Sequence, residues 1–174
     1  MNQCKRELQI IICGRGGQGV LFLTRLLDEV ALSEGSNVIS SETHGMAMRG
    51  GSVISSIRIG TFASPLIRSG QADIILALAE SEVPLSMHLL KKGDGQVYVN
   101  SPVGKEGAID ASMIAAELGS VVVSNLVLLG FACAHKEFPF AFTAVKKILK
   151  RISPHHVLEI NMRALAEGNR RGKP

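Results

Sequence analysis

The residues of this chain that could do chemistry are gathered in two short glycine-bearing stretches. The first, Gly14-Arg15-Gly16-Gly17-Gln18-Gly19, has G-x-G-x-x-G spacing and stands between an apolar run and an amphipathic stripe. In that setting glycines permit a sharp turn, bring backbone N–H groups close to a ligand and present the positive end of the next helix to an anion. Two readings fit. One is a dinucleotide site, with Glu42 near the end of the second strand holding a ribose; the other is a turn that meets a phosphate or a partner protein, or simply packs strand to helix. A dehydrogenase also needs a substrate domain, for which 174 residues leave no room.

The second stretch, residues 42–51, sets His44, Met46, Met48 and Arg49 among Gly45, Gly50 and Gly51. It falls at the expected carboxyl end of a strand, where open α/β sheets bind their ligands. Paired methionines suit an adaptable contact surface, and a guanidinium forks onto a carboxylate or phosphate. The competing reading is a surface loop whose methionines fill a gap.

Other candidate groups read as structural. Gly93-Asp94-Gly95, with Asn125 further on, imitates the Mg²⁺–diphosphate motif of thiamine enzymes. It leads straight into a predicted strand, however, which is turn chemistry. His155 and His156 are adjacent, share no helix face and lack a Cys or carboxylate at ligand spacing. His88 and His135 are expected on helix surfaces. Glu42 and Glu80 read as solvated carboxylates, with acid–base work as the alternative.

The elements that must hold the two stretches follow from periodicity. Apolar runs at residues 8–13, 37–41, 72–79, 96–99 and 121–123 predict strands. Residues 52–59 alternate with period 2, which predicts a half-exposed strand, antiparallel to its neighbours. Helices are predicted over 20–33, ended by Gly35; over 82–92, capped by Ser81; and over 110–118, capped by Asp110. Further helices follow over 125–135, 139–150 and 154–166. Strands alternating with helices predict an α/β class: one three-layer, Rossmann-like domain over 1–168. Its sheet is mostly parallel, with helices on both faces and at the C-terminus, and residues 169–174 form a disordered basic tail.

Composition narrows the function. Hydrophobic residues at 46% and charged residues at 20% describe an ordinary globular chain. Aromatics at 4%, with no Trp, argue against a nucleic-acid binder that stacks bases. The net charge of +4 sits partly at Arg170, Arg171 and Lys173 and partly at Lys146, Lys147, Lys150 and Arg151, read as solvated surfaces. Cys4, Cys13 and Cys133 are scattered, without C-x-x-C spacing, so neither a metal cluster nor a disulfide framework is expected. Lys5, Arg6 and Glu7 precede only a short apolar run, unlike a secretory signal, and no membrane-length apolar stretch occurs. A cytoplasmic location without a membrane is the expectation.

The order of these features resembles the gamma subunits of 2-oxoacid:ferredoxin oxidoreductases. The residues that carry the likeness are the strand and Gly14–Gly19 turn, then Arg49-Gly50-Gly51 leading into residues 52–59. Asp73-Ile74-Ile75-Leu76-Ala77, residues 125–130 and residues 161–168 extend it over almost the whole chain. His44-Gly45-Met46 is similar to the indolepyruvate-type small subunit, whereas pyruvate-type chains usually have Gly-Pro there. Ala47 and Met48 depart from the Ser-Gln common in that subgroup.

The resemblance implies an oxidoreductase subunit, inactive alone, in a complex that converts a 2-oxoacid and coenzyme A to acyl-CoA and CO₂ while reducing ferredoxin. Thiamine diphosphate, Mg²⁺ and iron–sulfur clusters would sit on partner subunits, with ferredoxin met through the complex and a homodimer open to the isolated chain. No catalytic or metal residue is expected here. Gly14, Gly16, Gly17, Gln18, Gly19, His44, Arg49, Gly50 and Gly51 would line the surface facing coenzyme A. The alternative is a free-standing NAD(P)-binding module or redox sensor.

Overall fold

A computed structural model of the chain describes residues 7–45 and 50–173. The first apolar run and its glycine turn become β1 (Leu8–Arg15), followed by α1 (Val20–Ser33). α1 ends where the sequence predicts: Gly35 takes φ 74°, its N–H bonds Leu32 O, and Ser36 N–H bonds Ala31 O. This pair of bonds around a left-handed glycine satisfies carbonyls that the last turn leaves open. β2 (Val38–His44) and β3 (Ser52–Ile59) form a hairpin, and β3 runs antiparallel to both β2 and β1.

β4 (Ile74–Ala77), β5 (Gln96–Asn100) and the short β6 (Ala108–Ile109) extend the sheet in parallel, giving the order β2-β3-β1-β4-β5-β6. The α/β class and mostly parallel sheet therefore agree with the sequence. The layering differs in detail. On one face, Ile10, Ile12, Ile57, Leu76 and Tyr98 pack in one core with the helices. These are α1, α3 (Ala111–Glu117), α4 (Ser124–Ala132), α5 (Phe142–Ile152) and α6 (Leu158–Arg171). On the other face, Ile11, Cys13, Ile75 and Ala77 are covered by Ile67, Ala72 and a broken helix only.

That broken helix replaces the one predicted over 82–92. α2 (Val83–Ser86) is a single turn between 3₁₀ turns at Glu80–Glu82 and Met87–Leu89. Ser81 does not cap it; its hydroxyl accepts from Arg15 instead. Asp110 does cap α3, its carboxylate accepting from Met113 N–H at 2.8 Å.

Two further expectations fail. Residues 121–123 form a 3₁₀ turn, not a strand. β6 already occupies that edge of the sheet, so a β-branched run without a strand to pair with turns directly into α4. Val121 and Val122 are left 66% and 72% exposed. The tail expected to be disordered is helical through Arg171. Glu167 accepts from Arg170 and Arg171, and those hydrogen bonds hold its carboxyl down at about 2. Arg171 reaches Glu117 as well.

A buried polar pair fixes the helix behind the glycine turn. Thr24 Oγ1 in α1 donates to Ser55 Oγ in β3 at 2.8 Å, both residues being buried. A buried hydroxyl needs such a partner, so the pair holds α1 in one register on the sheet.

Candidate functional site

β1 and β2 run parallel and β3 runs against them. The end of β1, the end of β2 and the start of β3 therefore share one edge of the sheet. This brings the two glycine stretches together. Gly16 N–H donates to Gly51 O at 2.9 Å, and a Cβ on Gly16 would stand 3.4 Å from Gly50 N. Gly45 N–H bonds Ser52 O across the base of the hairpin. His44 closes β2, paired with Val53. Arg49, with Met46, Ala47 and Met48, lies outside the described residues.

Within the first turn the residues divide by role. Gln18 is a brace: its Oε1 accepts from Arg15 N–H at 2.6 Å and its Nε2 donates to Leu78 O at 3.3 Å. Gly14 is a packing glycine, where a Cβ would meet Leu78 Cβ at 3.0 Å and Val20 Cγ2 at 3.1 Å. Gly19 has φ 85°, and a Cβ there would strike Asn125 Nδ2 at 2.2 Å. Of the glycines in this turn, Gly17, at φ 96°, is the one with open space beside it among the described residues. Among the described residues, Gly17 N–H and Gly19 N–H have no hydrogen-bond partner. α1 starts without a side-chain cap, so its first-turn N–H groups lack an intrahelical partner as well.

Arg15, which the sequence offers inside the motif without singling it out, supplies the described charge. Its side chain is 55% exposed. Nη2 donates to Ser81 Oγ at 3.2 Å, and Nε lies 3.6 Å from the buried Glu82 carboxylate. The loops after β4 and β5 continue this wall, with Glu80 accepting from Ser101 Oγ at 2.8 Å and pairing with Lys105 at 3.7 Å. Glu80 is thus engaged rather than simply solvated. Beneath them burial pushes the Cys13 thiol up to about 11, with the Glu82 charge adding to it against a Ser86 hydrogen bond. Cys13 is a core residue and not a nucleophile.

The turn forms a ridge between two hollows. On one side a groove of about 350 Å³ runs along Arg15, Gly16, Leu21 and Val53. On the other, a cavity of about 410 Å³ is lined by Gly17, Phe22, Val122, Asn125, Pro154 and Val157. Backbone donors and a guanidinium suit an anion, and the apolar cavity suits a thin aliphatic chain or an apolar side chain.

The dinucleotide reading loses its geometry. A ribose-binding carboxylate belongs at the end of the strand next to β1, but here β3 intervenes and Glu42 pairs opposite Ser55. Glu42 therefore lies two strand spacings from β1, about 10 Å rather than about 5 Å. Gly93-Asp94-Gly95 and Asn125 also separate, the triplet entering β5 at the edge opposite to the turn that Asn125 touches. His155 and His156 are exposed in a 3₁₀ turn. His135 is half-buried against Tyr98, with its Nδ1 2.9 Å from Phe131 O, and not on a helix surface. Among the described residues no three His, Cys, Asp or Glu side chains gather as a metal site, and no helix is long and apolar enough to cross a membrane.

Comparison with known proteins decides between the readings. The family model for pyruvate ferredoxin/flavodoxin oxidoreductase matches residues 9–170. The chain belongs to this family. Indolepyruvate oxidoreductase subunit IorB of Thermococcus kodakarensis is 32% identical, over 97% of this chain and 97% of the relative. The fold also matches solved members. The keto/oxoacid ferredoxin oxidoreductase gamma subunit of Geobacter sulfurreducens has a TM-score of 0.75 at 25% identity, over 95% and 98% of the two chains. Pyruvate oxidoreductase subunit PORC of Thermotoga maritima has 0.77 at 26%, over 95% and 97%. The resemblance read from the sequence is therefore correct at the level of family and subunit type: the chain is a gamma-type oxidoreductase subunit, and the free-standing NAD(P) module is not favoured.

Proposed function

We propose that this gamma-type subunit forms the coenzyme A side of a 2-oxoacid:ferredoxin oxidoreductase and packs against the subunit that carries thiamine diphosphate. The observation that carries the reading is the Gly16–Gly51 hydrogen bond, which joins the two glycine turns beside an exposed guanidinium and an apolar cavity. In this reading Gly17 N–H, the first turn of α1 and Arg15 bind an anionic phosphate, and Arg49, outside the described residues, adds a second guanidinium. The cavity beside Phe22 and Val122 receives the aliphatic arm. Gly14, Gln18 and Gly19 act through the shape of the turn, and His44, Gly50 and Gly51 form the facing rim.

The chain's part is binding and orientation; thiamine diphosphate, Mg²⁺ and iron–sulfur clusters held by partner subunits would supply the decarboxylation and electron-transfer chemistry, with ferredoxin as acceptor. Exposed Leu21, Val121 and Val122 around the turn suit burial against a partner subunit. The 2-oxoacid is an arylpyruvate, supported by the His44-Gly45-Met46 variant and by the indolepyruvate relative. The complex works in the cytoplasm.

The test is steady-state kinetics of the assembled enzyme carrying Arg49→Ala or Arg15→Ala. Loss of a charge-assisted hydrogen bond should raise the apparent KM for coenzyme A about tenfold, with the 2-oxoacid KM unchanged. An unchanged coenzyme A KM in both variants, with assembly intact, removes the role.

A further inference from the structure

A third hollow lies at the opposite edge of the sheet, where β1 begins and β3 ends. It measures about 420 Å³ and is lined by Gln9, Arg58, Ser64, Leu66, Arg68 and Gln71, without a carboxylate. Gln9 and Arg58 are direct cross-strand partners, so their side chains leave the same face of the sheet together.

Both carry buried polar atoms that the protein does not satisfy. Gln9 is 7% exposed, yet its Oε1 has no hydrogen-bond partner among the described residues. The Arg58 guanidinium is clamped over the Phe62 ring at 3.8 Å, and its Nη1 donates to Ser64 O at 2.8 Å and Leu66 O at 3.0 Å. Its Nε is buried and has no partner among the described residues. The Arg68 side chain is exposed and has no partner among the described residues. Of the acids at this end of the sheet, Asp73 accepts from Gln9 N–H and is neutralised by Lys91, and Glu7 accepts from Thr61 Oγ1.

Unsatisfied buried polar groups are rare and need a reason. Here a preset guanidinium, a free guanidinium and an unused amide converge on one space. We propose that this hollow is a binding site for a small hydroxylated organic anion, separate from the glycine-turn rim. The two arginines take its carboxylate or phosphate group, and Gln9 accepts from a neighbouring hydroxyl. Leu66 is the one apolar residue of the lining, which favours a polar ligand over an aliphatic one.

The experiment is calorimetric titration of the full chain with malate and with ribose 5-phosphate, which separates a carboxylate from a phosphate ligand. One of the two should saturate a single site. Arg68→Gln, which breaks no described contact, should weaken it about tenfold. Gln9→Leu should weaken it also, with the circular dichroism spectrum retained in both variants. Saturation by neither probe, or equal affinity in wild type and Arg68→Gln, overturns the proposal.

Discussion

In the seam between α4 and α6, glycine is used because there is no space. A Cβ on Gly168 would stand 1.9 Å from Val127 O, and one on Gly130 would stand 2.1 Å from Leu165 O. The two helices touch backbone to backbone, and Asn169 Nδ2 donates to Gly130 O across the join. At the rim, glycine is used for the opposite reason. Among the described residues, Gly17 at φ 96° and Gly50 at φ 68° have nothing within 4 Å of a Cβ position. Conformation alone demands glycine there, and the space left empty faces outward. The same residue type thus marks a sealed joint in one region and a vacant surface in the other. Gly19 stands between the two cases, with a left-handed φ and Asn125 directly against it.

Alanine substitutions break this comparison at its strongest point first. Gly168→Ala should cost about 3 kcal/mol of stability, because backbone rather than a flexible side chain must move and the gain in helix propensity is smaller. Chemical denaturation of the isolated chain measures it. Gly17→Ala should cost only about 1–2 kcal/mol, the strain of a left-handed non-glycine residue. Its larger signature should be functional, a raised coenzyme A KM in the assembled enzyme. A Gly17→Ala effect on stability as large as that of Gly168→Ala would erase the distinction between the two regions.

Much of this was legible in the residues. β1 and the turn after it stand out because a β-branched run ends in fixed glycine spacing. β3 is recognisable as antiparallel because it alternates Val53, Ser55, Ile57 and Ile59 inward. What stayed hidden depended on partners distant in the chain. Gln18 looks ligand-facing in the motif, but its amide is spent on Leu78, 60 positions away. Arg15 gains its place from Ser81, 66 positions on. Residues 121–123 have strand propensity, yet propensity carries no information about which sheet edge is already taken. The helix after β4 read as continuous, whereas Pro84 and the buried Glu82 and Ser86 divide it into single turns.

Hydrogen–deuterium exchange of the assembled enzyme, with and without coenzyme A, probes the rim most directly. Amides of residues 14–22 and 50–53 should become protected when coenzyme A is added, while the α4–α6 seam, already slow to exchange, should not change. Protection elsewhere in the complex, with both glycine turns exchanging as before, would contradict the account.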